Sequence, residues 1–157
     1  MPTTPAYIKG SLGKLATLSI GGATVVGTPS TSFTQVGGIT DIQAEGMKLG
    51  TVTTTDLSSN VVRRLGTTLD FQTISLTTKN ASSDSGQTAV VAAQIAGVPY
   101  DFEIIYNDND AAKTVTVGFS ALVTQAGAID LEEDKVNTSK IELSIDGAWT
   151  ITTAAIA

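Results

Sequence analysis

The sequence predicts a mostly β (α+β) fold: a β-sandwich or half-barrel of seven to nine antiparallel strands with one flanking α-helix. Three observations predict it. Short runs alternating apolar with Thr or Ser recur along the chain, divided by Gly, Asn and Asp clusters. Only Ala89 to Ala96 gathers strong helix formers. A length of 157 residues is enough to bury a core but cramped for two domains.

Residues 1–14 read as an N-terminal arm, because Pro2 and Pro5 forbid helix there and nothing apolar recurs with a period. The main domain is expected over 15–151. Leu15, Leu18 and Ile20, then Gly21-Gly22, then Ala23 to Val26, read as a hairpin of two short strands. Val36 to Glu45 is a strand of ambiguous phase, so a bulge is expected, and Gly37-Gly38 supplies turn or bulge glycines. Residues 46–66 read as a long loop; a loop of about 20 residues in a compact domain is either functional or evidence against the assignment. Thr67 to Lys79 is a long strand that slips phase near Thr73.

Asp84-Ser85-Gly86-Gln87 has capping-box spacing, with Asp84 accepting from the third helical amide and Gln87 reaching back; Gly97 and Pro99 mark the stop. Between Ala89 and Ala96 the helix offers water only Gln94, which predicts cover on two sides. Tyr100 to Tyr106, the Asn107-Asp108-Asn109-Asp110 turn and Thr114 to Gln125 form a hairpin. An acidic link over 127–135 leads to Ser139–Asp146, a strand with one apolar and one wet face, and 152–157 read as a C-terminal tail.

Composition excludes most chemistry. Charged residues are 15% and aromatics 5%, against roughly 25% charged in an average domain, so the surface must be largely Thr, Ser, Gly and Ala. The absence of His and Cys removes disulfides, thiolate or imidazole metal sites and Ser-His or Cys-His catalysis. A formal charge of −6 and a pI near 4.4 oppose binding to nucleic acid or anionic membranes, which needs clustered Lys and Arg. The uncharged run Leu15–Thr40 is broken by Gly and Pro and is too short in apolar length to span a bilayer. No secretory pattern follows Met1, so the expectation is a protein kept without Sec export.

The remaining candidates divide between sharp and plain readings. Asp130, Glu132, Glu133 and Asp134 offer paired carboxylates but no apolar pocket to tune them, so a solvated connection is the better reading. Asn107 to Asp110 offer hard oxygen ligands without the spacing of a calcium loop, and read as a turn. Gly21-Gly22 and Gly37-Gly38 lead into no helix and cradle no phosphate. Arg63 and Arg64, the only arginines, either pair bidentately with carboxylates of another chain or snorkel as a surface pair. Trp149 reads as the cap of a core or subunit contact rather than as a sugar platform. No enzyme, cofactor or metal is expected.

Several clusters, in this order, resemble the major tail tube proteins of long-tailed, non-contractile (lambda-like) bacteriophages. They are Gly37-Gly38-Ile39-Thr40-Asp41-Ile42, Thr54-Thr55-Asp56, Arg63-Arg64 before Gly66, the strand Leu69–Thr77, and Asp84-Ser85-Gly86-Gln87 opening a helix. Tyr100-Asp101-Phe102-Glu103-Ile104, Gly118 to Thr124, and Asp134-Lys135-Val136 before a strand ending Asp146-Gly147 complete the series, from about Leu18 to Ile151. Each is weak alone; their shared order carries the likeness.

The resemblance implies a structural virion protein that self-assembles into hexameric rings stacked as a tail tube, the conduit for genomic DNA ejection. Assembly would occur in the host cytoplasm, and the tape measure, tail tip and terminator proteins would be partners. DNA would pass without specific binding, and no membrane is involved. A gene transfer agent or tail-derived bacteriocin would use the same subunit. The loop at about 46–66 would grip neighbouring subunits through Met47, Leu49, Val52, Leu57, Val61, Val62, Arg63, Arg64 and Leu65, with the helix outside the sheet. Asp70, Gln72, Glu142 and Ser144 are the lumen-facing candidates, on the wet faces of the main strands. If each of six subunits gave four strands, 24 strands about 4.8 Å apart would close a wall about 37 Å across, which passes a duplex of roughly 20 Å. An acidic, hydroxyl-rich wall would not grip phosphate. The alternative is a soluble β-sandwich binding module, a glycan or adhesion domain, which would need an open aromatic or metal-bearing site.

Overall fold

Alternating apolar and polar side chains give the chain one face to bury per strand, and the structure, a computed structural model describing residues 16–54, 61–108 and 113–155, buries it under one helix. In chain order the strands are β1 (Thr17–Ala23), β2 (Thr34–Val36), β3 (Ile39–Ala44), β4 (Met47–Thr54), β5 (Arg63–Phe71) and β6 (Thr73–Lys79). After the helix α1 (Ser85–Ala96) come β7 (Tyr100–Asn107), β8 (Lys113–Gln125), β9 (Thr138–Ile145) and β10 (Thr150–Ala155). Among the described residues, eight strands form one antiparallel sheet in the order β2-β1-β7-β8-β9-β6-β3, with β10 also paired to β8, and β4 and β5 pair only with each other.

The mostly β class with a single helix is as expected, and the differences are local. Gly21-Gly22 does not turn a hairpin: β1 runs through both glycines, and its register against β7 shifts between Ile20 and Ala23. The expected strand 36–45 is cut into β2 and β3 at Gly38, whose φ is +73°. The expected strand 67–79 is cut at Gln72, opposite Gly46 with φ +85°, where the Gln72 amide donates to the Gly46 carbonyl at 2.9 Å. The stretch read as a C-terminal tail is β10 as far as Ala155. β9 covers only the later half of the 13-residue β8, and the β-branched Thr150 to Thr153 fill the open half from Thr150↔Gly118 to Ala155↔Lys113. Residues 1–15, which include the N-terminal arm, lie outside the described residues.

The core is the inward phase of these strands: Leu18 and Ile20, Ile74 and Leu76, Phe102 and Ile104, Val115 to Val123 on alternate positions, Ile141 and Leu143. Phe102 and Phe119, opposite each other across β7 and β8, stack with centroids 5.8 Å apart. Val90 and Ala93 of α1 close the core against β1, β2 and β8.

The capping box is half made. Asp84 accepts from the Gln87 amide at 2.8 Å and from the Gly37 amide at 3.2 Å. The Gln87 side chain does not return to the cap residue; it accepts from the Ala81 amide at 3.1 Å and donates to the carbonyls of Gly37 and Lys79 at 2.9 and 2.8 Å. Gly97, at φ +67°, ends the helix by donating to the Ala93 and Gln94 carbonyls. The helix is covered on one side only: Val91, Ala92 and Ile95 face outward, Ile95 at 82% exposure.

Candidate assembly surface

Sheet edges and unburied apolar side chains are what such a fold offers another molecule. Of the segment 46–66 read as a long loop, residues 47–54 and 63–66 belong instead to a β-ribbon, and 55–60 lie outside the described residues. β4 and β5 pair antiparallel from Met47↔Phe71 to Thr54↔Arg63, continuing the β3–β6 pairing out of the sheet beyond the Gly46–Gln72 joint. Its Thr and Val residues favour strand, and periodicity was hidden because its apolar residues do not all share one phase.

A bulge explains that. Between Leu49↔Leu69 and Thr51↔Gly66 the register shifts, with β5 supplying one residue more than β4. Met47, Leu49, Leu69 and Phe71 therefore share one face, whereas Val52 and Leu65, beyond the bulge, share the other with Arg63. The glycines agree with this assignment: a Cβ on Gly66 would meet Leu49, and one on Gly50 would meet Thr67.

The ribbon is apolar yet buries almost none of itself. Every residue of β4, and of β5 up to Asp70, is exposed, including Met47 at 57%, Leu49 at 53%, Val52 at 53% and Leu65 at 60%. Phe71 anchors its base with an edge contact to Trp149, centroids 5.4 Å apart, which gives the lone tryptophan a packing role. Hiding the exposed halves of such side chains is worth about 1 kcal/mol each, and a two-stranded ribbon is marginal alone.

Of the contact residues expected from the sequence, Met47, Leu49, Val52, Arg63, Arg64 and Leu65 lie on the ribbon, and Val61 and Val62 lead into β5, exposed at 64% and 57%. Leu57 lies outside the described residues. The four lumen candidates form two separate pairs. Gln72, at the joint, donates to Asp70 on the ribbon at 2.6 Å. Glu142 and Ser144 lie on the outward phase of β9, opposite Ser75 and Thr73, with Glu142 paired to Lys140 at 2.7 Å. That outward face continues over β6 to β8 with Thr77, Glu103, Thr116 and Ser120.

Sequence reasoning missed one polar cluster. Asp101, on the outward face of β7, accepts from the Ser30 amide at 2.8 Å, the Ser30 hydroxyl at 2.7 Å and the Thr24 hydroxyl at 2.8 Å. Burial pushes its carboxyl up, but these three bonds outweigh it and hold the group below its ordinary value. They tie the 24–30 connection, which displays Val25 and Val26 at 61% and 98% exposure, across the sheet. Nothing in the sequence links Asp101 to partners 71 and 77 positions away.

Among the described residues, the open edges are those of β2 and β3, which end the strand order, and of β10, paired only to β8. No helix among the described residues is long and apolar enough to cross a membrane.

No family model and no curated protein matches the sequence. Solved structures do match the fold. The tail of an empty gene transfer agent particle with C6 symmetry has a TM-score of 0.67 at 17% identity, covering 91% of this chain and 99% of that one. The sheath/tube terminator of an extracellular contractile injection system gives 0.66 at 12% identity, over 95% and 100% of the two chains. The SPP1 tail tube gives 0.59 at 16% identity, over 90% and 78%. At such identities the likeness is one of fold, and it spans nearly the whole chain: this protein has the fold of tail tube proteins.

Proposed function

We propose that this chain is the structural subunit of a tail tube. Copies join edge to edge into hexameric rings, the rings stack, and the lumen carries DNA during ejection. The tube belongs to a virion tail built in the host cytoplasm, with tape measure, tail tip and terminator proteins as partners. The observation that carries this reading is the ribbon: an apolar element outside its own core, on a sheet whose edges are open.

Exposed apolar side chains support it: Met47, Leu49, Val52, Leu65 and Leu69 each leave about half of their surface uncovered, where single scattered exposures are the ordinary case. The wet sheet face suits a lumen wall, because its Lys140 is already paired to Glu142, and Glu103 and the hydroxyls around it offer phosphate no cation. Glu142 and Ser144 are the lumen residues this arrangement favours. The glycan-binding alternative has no such support, since Trp149 is engaged with Phe71 and Phe102 with Phe119.

Negative-stain microscopy of purified protein should show rings or tubes about 80–120 Å wide, a wall near 37 Å plus about 10 Å of packed layer per side and loops. Replacing residues 47–71 by a short turn between Gly46 and Gln72 should leave a folded monomer that sediments as one species at any concentration. Tubes built normally without the ribbon would refute its assigned role.

A further inference from the structure

The ribbon is not the only apolar surface outside the core. The connection between β8 and β9 displays Ile129, Leu131 and Val136, 62%, 67% and 62% exposed. Among them stand Asp130, Glu132, Glu133 and Asp134, with Lys135 paired to Glu132. The connection is held in place. Asp130 and Thr138 exchange backbone bonds at 2.9 and 3.3 Å, and the Asn80 amide donates to the Asn137 carbonyl at 3.0 Å. These bonds put it at the Lys79 end of β6, whereas the ribbon leaves from the Thr73 end.

We infer that the outer half of the ribbon, through the face bearing Val52, Leu65 and Arg63, docks on the 129–136 connection of a second copy of this chain. The inference rests on the tube reading above and names the surface that receives the ribbon. Three features single out a second copy as the occupant. Both patches are apolar and uncovered in their own chain. Their charges are opposite: no ion pair joins Arg63 to another described residue, while the connection sets four carboxylates against Lys135, and arginine pairs bidentately with such groups.

The third feature is position. Seven residues of β6 and eight of β4 separate the connection from the ribbon tip by at most roughly 50 Å. A surface at one end that fits a different surface at the other makes a head-to-tail contact, which continues from copy to copy as a ring or an open stack. A self-complementary contact would stop at two copies. The bulge at Thr67–Thr68 thus acquires a role: it turns Leu65 away from the face that carries Leu69 and onto that of Val52, so the outer half can meet a different neighbour from the base.

The chain has no cysteine, so a Leu65→Cys, Leu131→Cys variant carries the only thiols. Oxidised after assembly, it should give a ladder of disulfide-linked dimers, trimers and longer chains on a non-reducing gel. Pairing Leu65→Cys with Ile95→Cys on the helix should give none. In parallel, Arg63→Glu and Glu133→Arg should each raise the concentration needed for assembly about tenfold, and the two together should restore it to within about threefold of the unaltered chain. Circular dichroism of all variants should match, because every altered residue is exposed. Tubes that form without a ladder, or charge reversals that do not rescue each other, overturn this docking and leave the tube reading standing. An unaltered protein that forms no tubes overturns both.

Discussion

At the scale of single residues, Gly86 and Asp101 carry constraints that stability measurements can read. A Cβ on Gly86 would come within 2.6 Å of the Val36 Cα and closer still to the Gln35 carbonyl, so α1 meets β2 with no room for a side chain. Gly86→Ala should lose about 1–3 kcal/mol in urea unfolding despite the better helix propensity of alanine. Asp101→Asn keeps one acceptor oxygen of two and should cost about 1–3 kcal/mol at pH 7. The folded carboxyl lies below its ordinary 3.8, so the stabilisation is whole above that value and fades as pH falls through the lower folded one. The gap between wild type and Asp101→Asn should therefore narrow below pH 4; a gap that widened on acidification would contradict the assigned bonds.

At the scale of elements, the ribbon and the helix show two ways of being apolar. α1 directs Gly86, Val90 and Ala93 into the core, so shortening Val90 leaves a cavity. The ribbon directs nothing inward. Leu49→Ser with Leu69→Ser should leave the monomer's unfolding free energy within about 0.5 kcal/mol, as exposed substitutions do, yet abolish tube formation in sedimentation. A comparable loss in both assays would mean the ribbon belongs to the subunit's own core. Strand boundaries from β7 to β9 were legible in the sequence because each strand has one dry and one wet face, as Ile141, Leu143 and Ile145 against Lys140, Glu142 and Ser144 show. The ribbon was not legible as strand. Both its faces are wet in the monomer, and the bulge reverses its apolar phase midway.

At the scale of the whole molecule, the proposed tube makes the open edges and unburied leucines a source of stability that neighbours supply. Binding that is available to the folded state alone raises the melting temperature with concentration. The protein should melt at higher temperature as it crosses its assembly threshold, while a chain lacking 47–71 should melt at one temperature throughout. Scanning calorimetry over a hundredfold range of concentration tests this.

Local pattern determined the class, the helix with both its ends, the hairpin of β7 and β8 and the absence of His and Cys, because these rest on side-chain period, capping chemistry and residue inventory, all short-range or compositional. Tertiary structure decided the rest. β10 is a strand because β9 leaves half of β8 open, Asp101 has partners because the 24–30 connection crosses over it, and 47–54 and 63–66 are ribbon because two exposed stretches find each other. Each of those outcomes depends on which segments meet, and pairing free energy between distant segments leaves no mark on either one alone.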